Sequence, residues 1–428
     1  MTTPQAQPLP GTPIIACHEC AAVHRMADVA NGHTAACSIC GAMLYRAQKD
    51  SIERTLGFVI AALILIVIAN ILPFMTMKLE GREQVSTIMS GVIGLYDDGM
   101  WPLAALVFSA AIFMPLLKLV SLLYVLLPLH LGRKPWGLPL VFRWVEMIHP
   151  WAMMEVFLLG VIVAYVKLTD LATIELGLAL FAFIVVILLM IAADIVLDAR
   201  EVWKRIAPQA TDQLLAPSER RTLISCHACD QVYRLPDDAE RPVCTRCGTD
   251  LHKRNRGSIA TAWALTVAAC ILYIPANLLP IMTVIHFGQG EPSTILGGVI
   301  LLAQVGMWPV AALVFFASVV VPVVKLISLI YLMLSVQWQM TWRPSDRTLL
   351  YRVVEAVGRW SMVDIFMISI LVALVSLGSI ATIDPGPGAV AFAAVVVITM
   401  IAATTFDSRL IWDVIEKEGG DDRHLIRA

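Results

Sequence analysis

Charged residues are scarce in this chain. Asp, Glu, Lys and Arg make up 15% of its 428 residues, against about 25% in an ordinary soluble domain. With 58% hydrophobic residues and a mean hydropathy of +0.78, a water-soluble globule is excluded. The bilayer takes the place of solvent for most of the chain. Several chemical signatures are missing as well. No G-x-x-x-x-G-K-[ST] run is present, which excludes ATP hydrolysis by a P-loop. Neither an H-E-x-x-H pair nor a Ser/His/Asp pattern stands out, so nothing marks the chain as an enzyme. The first 50 residues hold no apolar run followed by a cleavage site, so no signal peptide is expected. The formal net charge of -2 points to no partner, and no nucleic-acid partner is expected.

Eight of the nine cysteines are patterned. Cys17-His-Glu-Cys20 is followed after sixteen residues by Cys37-Ser-Ile-Cys40-Gly41. Cys226-His-Ala-Cys229 is followed after fourteen by Cys244-Thr-Arg-Cys247-Gly248. Paired C-x-x-C knuckles at this spacing predict two small zinc ribbons, each aiming four thiolates at one tetrahedral ion. Four thiolates leave no open coordination position, which makes the role structural. Two disulfides, or a redox pair, are the competing readings, but a redox site needs one C-x-x-C on a βαβ scaffold. A soft four-sulfur set also accepts iron. His18 and His24 fall outside the ligand set, and Cys270 is a small packing residue within a span.

The rest of the chain is a repeat. Gly99-Met-Trp-Pro-Leu-Ala-Ala-Leu-Val-Phe, running on to Pro115-Leu-Leu-Lys118, returns 207 residues later as Gly306-Met-Trp-Pro-Val-Ala-Ala-Leu-Val-Phe and Pro322-Val-Val-Lys325. Asn70-Ile-Leu-Pro73 matches Asn277-Leu-Leu-Pro280, and Phe142-Arg-Trp-Val-Glu146 with Glu155 matches Tyr351-Arg-Val-Val-Glu355 with Asp364. The expected spans of the first half are 56–77, about 101–129, one starting near Trp151, and about 172–197. A turn falls around Lys167–Asp170. Residues 78–100, too polar to span and too apolar for a free loop, are expected to lie on the outer face or dip into the membrane. The fold class is therefore an all-α polytopic membrane protein, two tandem four-helix transmembrane modules each preceded by a small zinc ribbon. The boundaries are a disordered tail 1–13, ribbon 14–50, module 51–200, linker 201–222, ribbon 223–252, module 253–412 and tail 413–428. An even number of spans makes the repeat parallel rather than inverted. Arg and Lys crowd the ribbon interval (Arg200, Lys204, Arg205, Arg246, Arg254) and are absent from 284–306 and 381–388. Positive-inside then places both ribbons and both termini in the cytoplasm, where reduction favours metal thiolate over disulfide.

Ionisable groups inside spans are costly and mark functional sites by default. The candidates are Lys118, Lys325, Glu155, Asp364 and Asp194, with Asn70, Asn277 and Thr404 as neutral polar groups and Glu146 and Glu355 just before their spans. One reading is a buried network in which lysine and carboxylate neutralise each other and pass protons or switch states. The others are static pairs that staple helices, lysines that snorkel to the interface, and, for Arg352, Glu355 and Arg359, a local salt-bridged face. About ten apolar residues follow each lysine, which argues against snorkelling. Asp194 aligns approximately with Thr404, so the halves are not chemically equivalent.

Twin ribbons alternating with blocks that carry Asn-(Ile/Leu)-Leu-Pro, Gly-Met-Trp-Pro and Pro-x-x-Lys resemble the paraquat-inducible protein A family over nearly the whole chain. That resemblance implies an inner-membrane protein of a Gram-negative envelope, with tetraspanin-like four-helix blocks. It also implies a periplasmic MCE-domain partner whose stacked rings form a tunnel, and phospholipid transport between the two membranes. Carried onto this sequence, the metal ligands are Cys17, Cys20, Cys37, Cys40, Cys226, Cys229, Cys244 and Cys247. The polar network is Lys118, Lys325, Asp194, Asp364 and Thr404. If lipid movement is driven, protons acting through the buried carboxylates and lysines are the natural energy source. The alternatives are a non-transporting scaffold that seats the partner and recruits cytosolic factors through its ribbons, and a membrane redox protein using the C-x-x-C pairs.

Overall fold

The computed structural model describes residues 7–8, 14–26, 29–79, 82–133, 135–169, 173–207, 221–236, 242–252, 254, 257–286, 289–375 and 381–418. Most of the tail 1–13, linker residues 208–220, Asp170 of the expected turn and residues 419–428 of the second tail lie outside that set.

The first half begins with short strands, β1 (Gln7–Pro8), β2 (Ile14–Ala16), β3 (Val23–Arg25), β4 (Thr34–Ala36) and β5 (Met43–Arg46). β2–β3 and β4–β5 are the two antiparallel knuckle arms of the first ribbon. Then come α1 (Ser51–Ile71), β6 (Met75–Leu79), β7 (Arg82–Ser86), α2 (Ile88–Asp97), α3 (Trp101–Phe108), a π-helical turn (Ser109–Phe113) and α4 (Met114–His130). α5 (Leu138–Ile148), a 3-10 turn (His149–Trp151), α6 (Met154–Thr169), β8 (Thr173–Leu176), α7 (Leu178–Val196) and α8 (Ala199–Ile206) complete it. The second half repeats the plan with β9 (Arg221–Ser225), β10 (Val232–Pro236), α9 (Ser258–Leu278), β11 (Met282–His286), β12 (Gln289–Ser293), α10 (Ile295–Gln304), α11 (Trp308–Phe315) and a π turn (Phe316–Val320). It ends with α12 (Val321–Gln337), α13 (Pro344–Gly358), a 3-10 turn (Arg359–Met362), α14 (Val363–Leu374), β13 (Ala381–Pro385), α15 (Pro387–Thr405) and α16 (Leu410–Glu418).

Among the described residues, eight helices are long and apolar enough to cross a membrane. Their bounds correct the expected spans. The first ends at Ile71, because Pro73 cannot continue a helix and Met75–Leu79 pairs as a strand. The fourth starts at Leu178 rather than 172 for the same reason, Thr173–Leu176 being β8. The third begins at Leu138 and is broken at His149–Trp151, where Pro150 removes a backbone donor. Residues 75–97 form an antiparallel hairpin joined by β8 in the order β7-β6-β8, then the short helix α2. The second half repeats this sheet as β12-β11-β13. In β6, Met75 and Met77 are buried while Thr76 and Lys78 are not, the period-two pattern of a half-buried strand. Lys78 donates to Glu175 at 2.7 Å and lies 3.3 Å from Glu83, and these contacts raise its pKa.

Two ends of the bundle can therefore be told apart, a sheet side and a ribbon side. The ribbon side is pinned twice in the same way: Ser51 Oγ donates to the Val196 carbonyl at 2.8 Å, and Ser258 Oγ to that of Thr405 at 2.7 Å. The modules meet along α14, every residue of which is buried. Of the apolar 18-residue window within Pro344–Leu374, 88% is buried within the chain, against 22% of that within Ser258–Leu278, so the former is central and the latter faces lipid. Small residues let module 1 approach it closely. A Cβ on Gly91 would sit 2.8 Å from the Ser369 carbonyl oxygen, and one on Gly160 would sit 2.9 Å from Phe366 Cβ. Close approach through glycine is how helices associate in lipid, where apolar burial between them drives little. Gly91→Val is accordingly expected to cost about 1–3 kcal/mol by overpacking. The check is a lowered melting temperature of the detergent-purified chain.

Candidate functional site: two buried lysines and two thiolate clusters

In each ribbon the knuckle turns bring four sulfurs together, all within 4.8 Å of one another. Cys17–Cys40 and Cys20–Cys37 are 3.5 and 3.6 Å apart; Cys226–Cys247 and Cys229–Cys244 are 3.4 and 3.6 Å apart. A tetrahedron with metal–sulfur bonds of about 2.3 Å requires roughly 3.8 Å between sulfurs, so both sets fit one ion. A disulfide needs about 2.05 Å, and all eight thiols are free. His24, outside the expected ligand set, is nevertheless not a bystander. Its Nε2 lies 3.2 Å from Cys37 Sγ, and the residue at the same place in ribbon 2, Tyr233, puts its hydroxyl 3.2 Å from Cys244 Sγ. Such contacts orient a ligand and tune its charge.

The ribbons are seated crosswise. Ribbon 1 docks on module 2: Arg352 donates to the Cys40 carbonyl at 3.1 Å, Arg409 to that of His18 at 3.1 Å, and Trp412 packs on the cysteine cluster. Ribbon 2 docks on module 1: Arg143 donates to Thr249 at 3.3 Å, and Cys226 and Cys247 join the core that holds Phe142 and Trp203. The same side chains of the repeat, Arg143/Arg352 and Trp203/Trp412, make both seats. Between the ribbons Arg409 also donates to His227 Nδ1 at 3.3 Å. Burial, then the charge of Arg409, holds His227 below the usual imidazole range, which keeps that nitrogen an acceptor.

Both lysines sit just past a π turn. Pro115 and Pro322 have no N–H to give, and the wider turn before each absorbs the break. One extra residue in a turn rotates the remainder of the helix by roughly 100°, and both ammonium groups end up inside, each residue 3% exposed.

Their surroundings differ. Lys118 donates to Asp194 and to His149 Nδ1, each at 2.8 Å. His149 is there because the helix breaks at Pro150. Glu155 lines the same small cavity, so three of the expected residues and one unexpected histidine converge. Lys325 has no hydrogen-bond partner among the described residues. It lines a cavity of about 240 Å³ with Arg352, Glu355, Ala403, Thr404 and His149 of module 1. α7 and α15 are both nineteen residues long and end at the matched carbonyls of Val196 and Thr405. This register corrects the approximate alignment: Asp194 stands opposite Ala403, with Thr404 one position on. His149 stands opposite Gly358, where a Cβ would come within 2.6 Å of Lys325 Nζ. Module 2 has thus lost both of the lysine's partners.

The remaining candidates are not gathered here. Asn70 and Asn277 donate to carbonyls one turn back in their own helices, Ile66 and Tyr273, at 2.7 and 2.8 Å. Glu146 lies on α5 near Trp203 and Asp230 of ribbon 2. Asp364 is buried but lines a different, apolar cavity with Ile281, Ile295 and Met367. Arg352 turns to the ribbon rather than forming a helix-face pair, and the Arg359 side chain lies outside the described residues. Buried hydroxyls that sequence reasoning missed, Ser318, Ser361 and Thr399, belong to the π turn, 3-10 turn and helix around Lys325 and Asp364. Each donates to a backbone carbonyl three or four residues back, Val314, Gly358 and Val396.

Comparison with known proteins bears on these centres. The family description Paraquat-inducible protein A matches residues 52–207 and 259–416. The chain is 37% identical over 408 residues to Intermembrane transport protein PqiA of Escherichia coli K12, covering 93% of this chain and 95% of that protein. It is 32% identical over 402 residues to Lipophilic envelope-spanning tunnel protein A of the same organism, covering 94% and 91%. A Probable intermembrane transport protein of Haemophilus influenzae is 29% identical over 412 residues, covering 95% and 97%. No solved structure matches.

Proposed function

Because this chain belongs to the paraquat-inducible protein A family, we propose that it is the inner-membrane component of a phospholipid transport system, passing lipid to or from a periplasmic MCE-domain tunnel protein. The relatives' names, intermembrane transport and envelope-spanning tunnel, support a transport role in the envelope. The Lys and Arg distribution supports a cytoplasmic ribbon side and a periplasmic sheet side, on which the partner sits. Zinc is the ion for both clusters, held by Cys17, Cys20, Cys37 and Cys40 and by Cys226, Cys229, Cys244 and Cys247. It fixes the ribbons and supplies no chemistry to transport.

The observation that carries the proposal is the pair of equivalent buried lysines in unlike states. Lys118 is neutralised by Asp194, and Lys325 has no hydrogen-bonded counter-ion among the described residues. A scaffold has no use for an ammonium buried at a cost of several kcal/mol. A transporter that moves charged headgroups or protons does. In the cycle, the Lys118–Asp194–His149 group takes up and releases a proton, while the buried carboxyl of Asp364 does the same across the module seam. The test is Lys325→Ala and Asp364→Ala, singly and together, in cells that depend on this protein, with membrane abundance and partner association followed alongside. Loss of function at normal abundance and normal association is the expected result. Full function in all three variants would leave only the scaffold.

A further inference from the structure

We infer that the cavity at Lys325 is a binding site for the phosphate of a phospholipid headgroup. This rests on the lipid-transport reading and names the part of the lipid held and the place. Four observations lead there. The Lys325 ammonium is 3% exposed and has no hydrogen-bond partner among the described residues, yet it forms part of the cavity wall. The equivalent ammonium in module 1 is neutralised within the chain, so the repeat shows what this position needs: an anion. Ala403, opposite Asp194, lines the cavity where module 1 has that anion, and Gly358, opposite His149, lets the Lys325 ammonium lie against its backbone.

Charge and size agree. Lys325 and Arg352 face the cavity with Glu355, and the Glu19 carboxylate lies 3.7 Å from Arg352 on its ribbon side. The Lys325 ammonium donates to phosphate oxygens as a point charge, while the Arg352 guanidinium, held by the Cys40 carbonyl, adds positive charge to the wall. About 240 Å³ is below the about 300–1,000 Å³ of sites that swallow a drug-sized molecule, so a headgroup fits and a whole lipid does not. Depth is the fourth observation. Ala403 and Thr404 are in the last turn of α15, and Asp407 and Arg409 follow it. The mouth therefore opens where the ribbon-side leaflet carries its headgroups. Val353 and Ile401 on the flanking helices are exposed, leaving an apolar surface for the acyl chains.

The test uses the full-length, metal-loaded chain in detergent. Dihexanoyl phosphatidylethanolamine is titrated by calorimetry, and inorganic phosphate is run as competitor. Saturable binding of one lipid per chain is expected. Lys325→Gln should weaken it at least tenfold. Ala403→Asp restores the carboxylate that module 1 has, and should weaken binding as strongly while the melting temperature holds. If that variant does not fold, Lys325→Gln decides alone. Wild-type affinity in Lys325→Gln overturns the site. Displacement of the lipid by inorganic phosphate at concentrations as low as those at which the lipid itself binds makes this a free-anion site and overturns the lipid assignment. Binding is read without transport, so a chain that moves lipid but binds it independently of Lys325 refutes this inference alone. Tight, Lys325-dependent binding in a chain that moves no lipid refutes the transport reading alone.

Discussion

Asp194→Ala is expected to cost the folded chain about 3–5 kcal/mol, the usual consequence of stripping the partner from a buried charge. The Lys118 ammonium is 4% exposed at the side chain and Asp194 31%, so water offers little replacement. The double variant Lys118→Met/Asp194→Leu should recover most of that loss, because a buried ion pair and a well-packed apolar pair are of similar stability. Lys325→Met should behave in the opposite sense to Asp194→Ala. It removes an ammonium that has no hydrogen bond among the described residues and is expected to leave stability unchanged or raised, while function is lost. Thermal denaturation of the four purified proteins settles the matter. A melting temperature of Asp194→Ala equal to that of the wild type would show that the pair contributes nothing to the fold.

The second large effect concerns the metal. Cys17→Ala/Cys20→Ala removes half of a four-sulfur site, and structural zinc in a small domain carries an apparent binding free energy of about 10–16 kcal/mol. Ribbon 1, with only three- and four-residue strands and a core of cysteines and alanine, has little else to hold it. The damage should appear in the wrong half of the sequence. Because ribbon 1 sits mainly on module 2, hydrogen exchange is expected to rise at Arg352, Arg409 and α16, and at Arg200 of α8, which stacks on Tyr45, with module 1 at α5 unchanged. Metal content should fall from two ions per chain to one. Increased exchange confined to residues 51–130 would contradict the crossed seating.

Much of this was legible beforehand, and the reasons for the rest are physical. The C-x-x-C spacing dictates a tetrahedral site almost by itself, and the doubled motifs made the two modules unmistakable. The buried lysines and Asp194 were found because charge inside an apolar run is conspicuous. His149 was missed, although the Pro150 that breaks the helix and sets it beside Lys118 is plain in the sequence. The π turns leave no mark beyond the prolines that come after them. The sheets escaped notice because five-residue strands such as Met75–Leu79 are short, although their alternation is there to read. An alignment good to about one residue put Asp194 opposite Thr404. On a helix one residue is roughly 100°, enough to exchange a lipid-facing position for a buried one. Nothing local tells which ribbon Arg352 will hold, since Arg143 sits in the same motif and holds the other.

The crossed seating also says something about ancestry and assembly. A chain of one ribbon and one module would keep contacts such as that of Arg200 with Tyr45 but leave its own Arg–Trp seat bare, until a second copy filled it. Fusing the two copies end to end removes the need to find a partner, and it frees one half to drift. That is how a lysine can lose its aspartate and histidine on one side while its twin keeps them on the other.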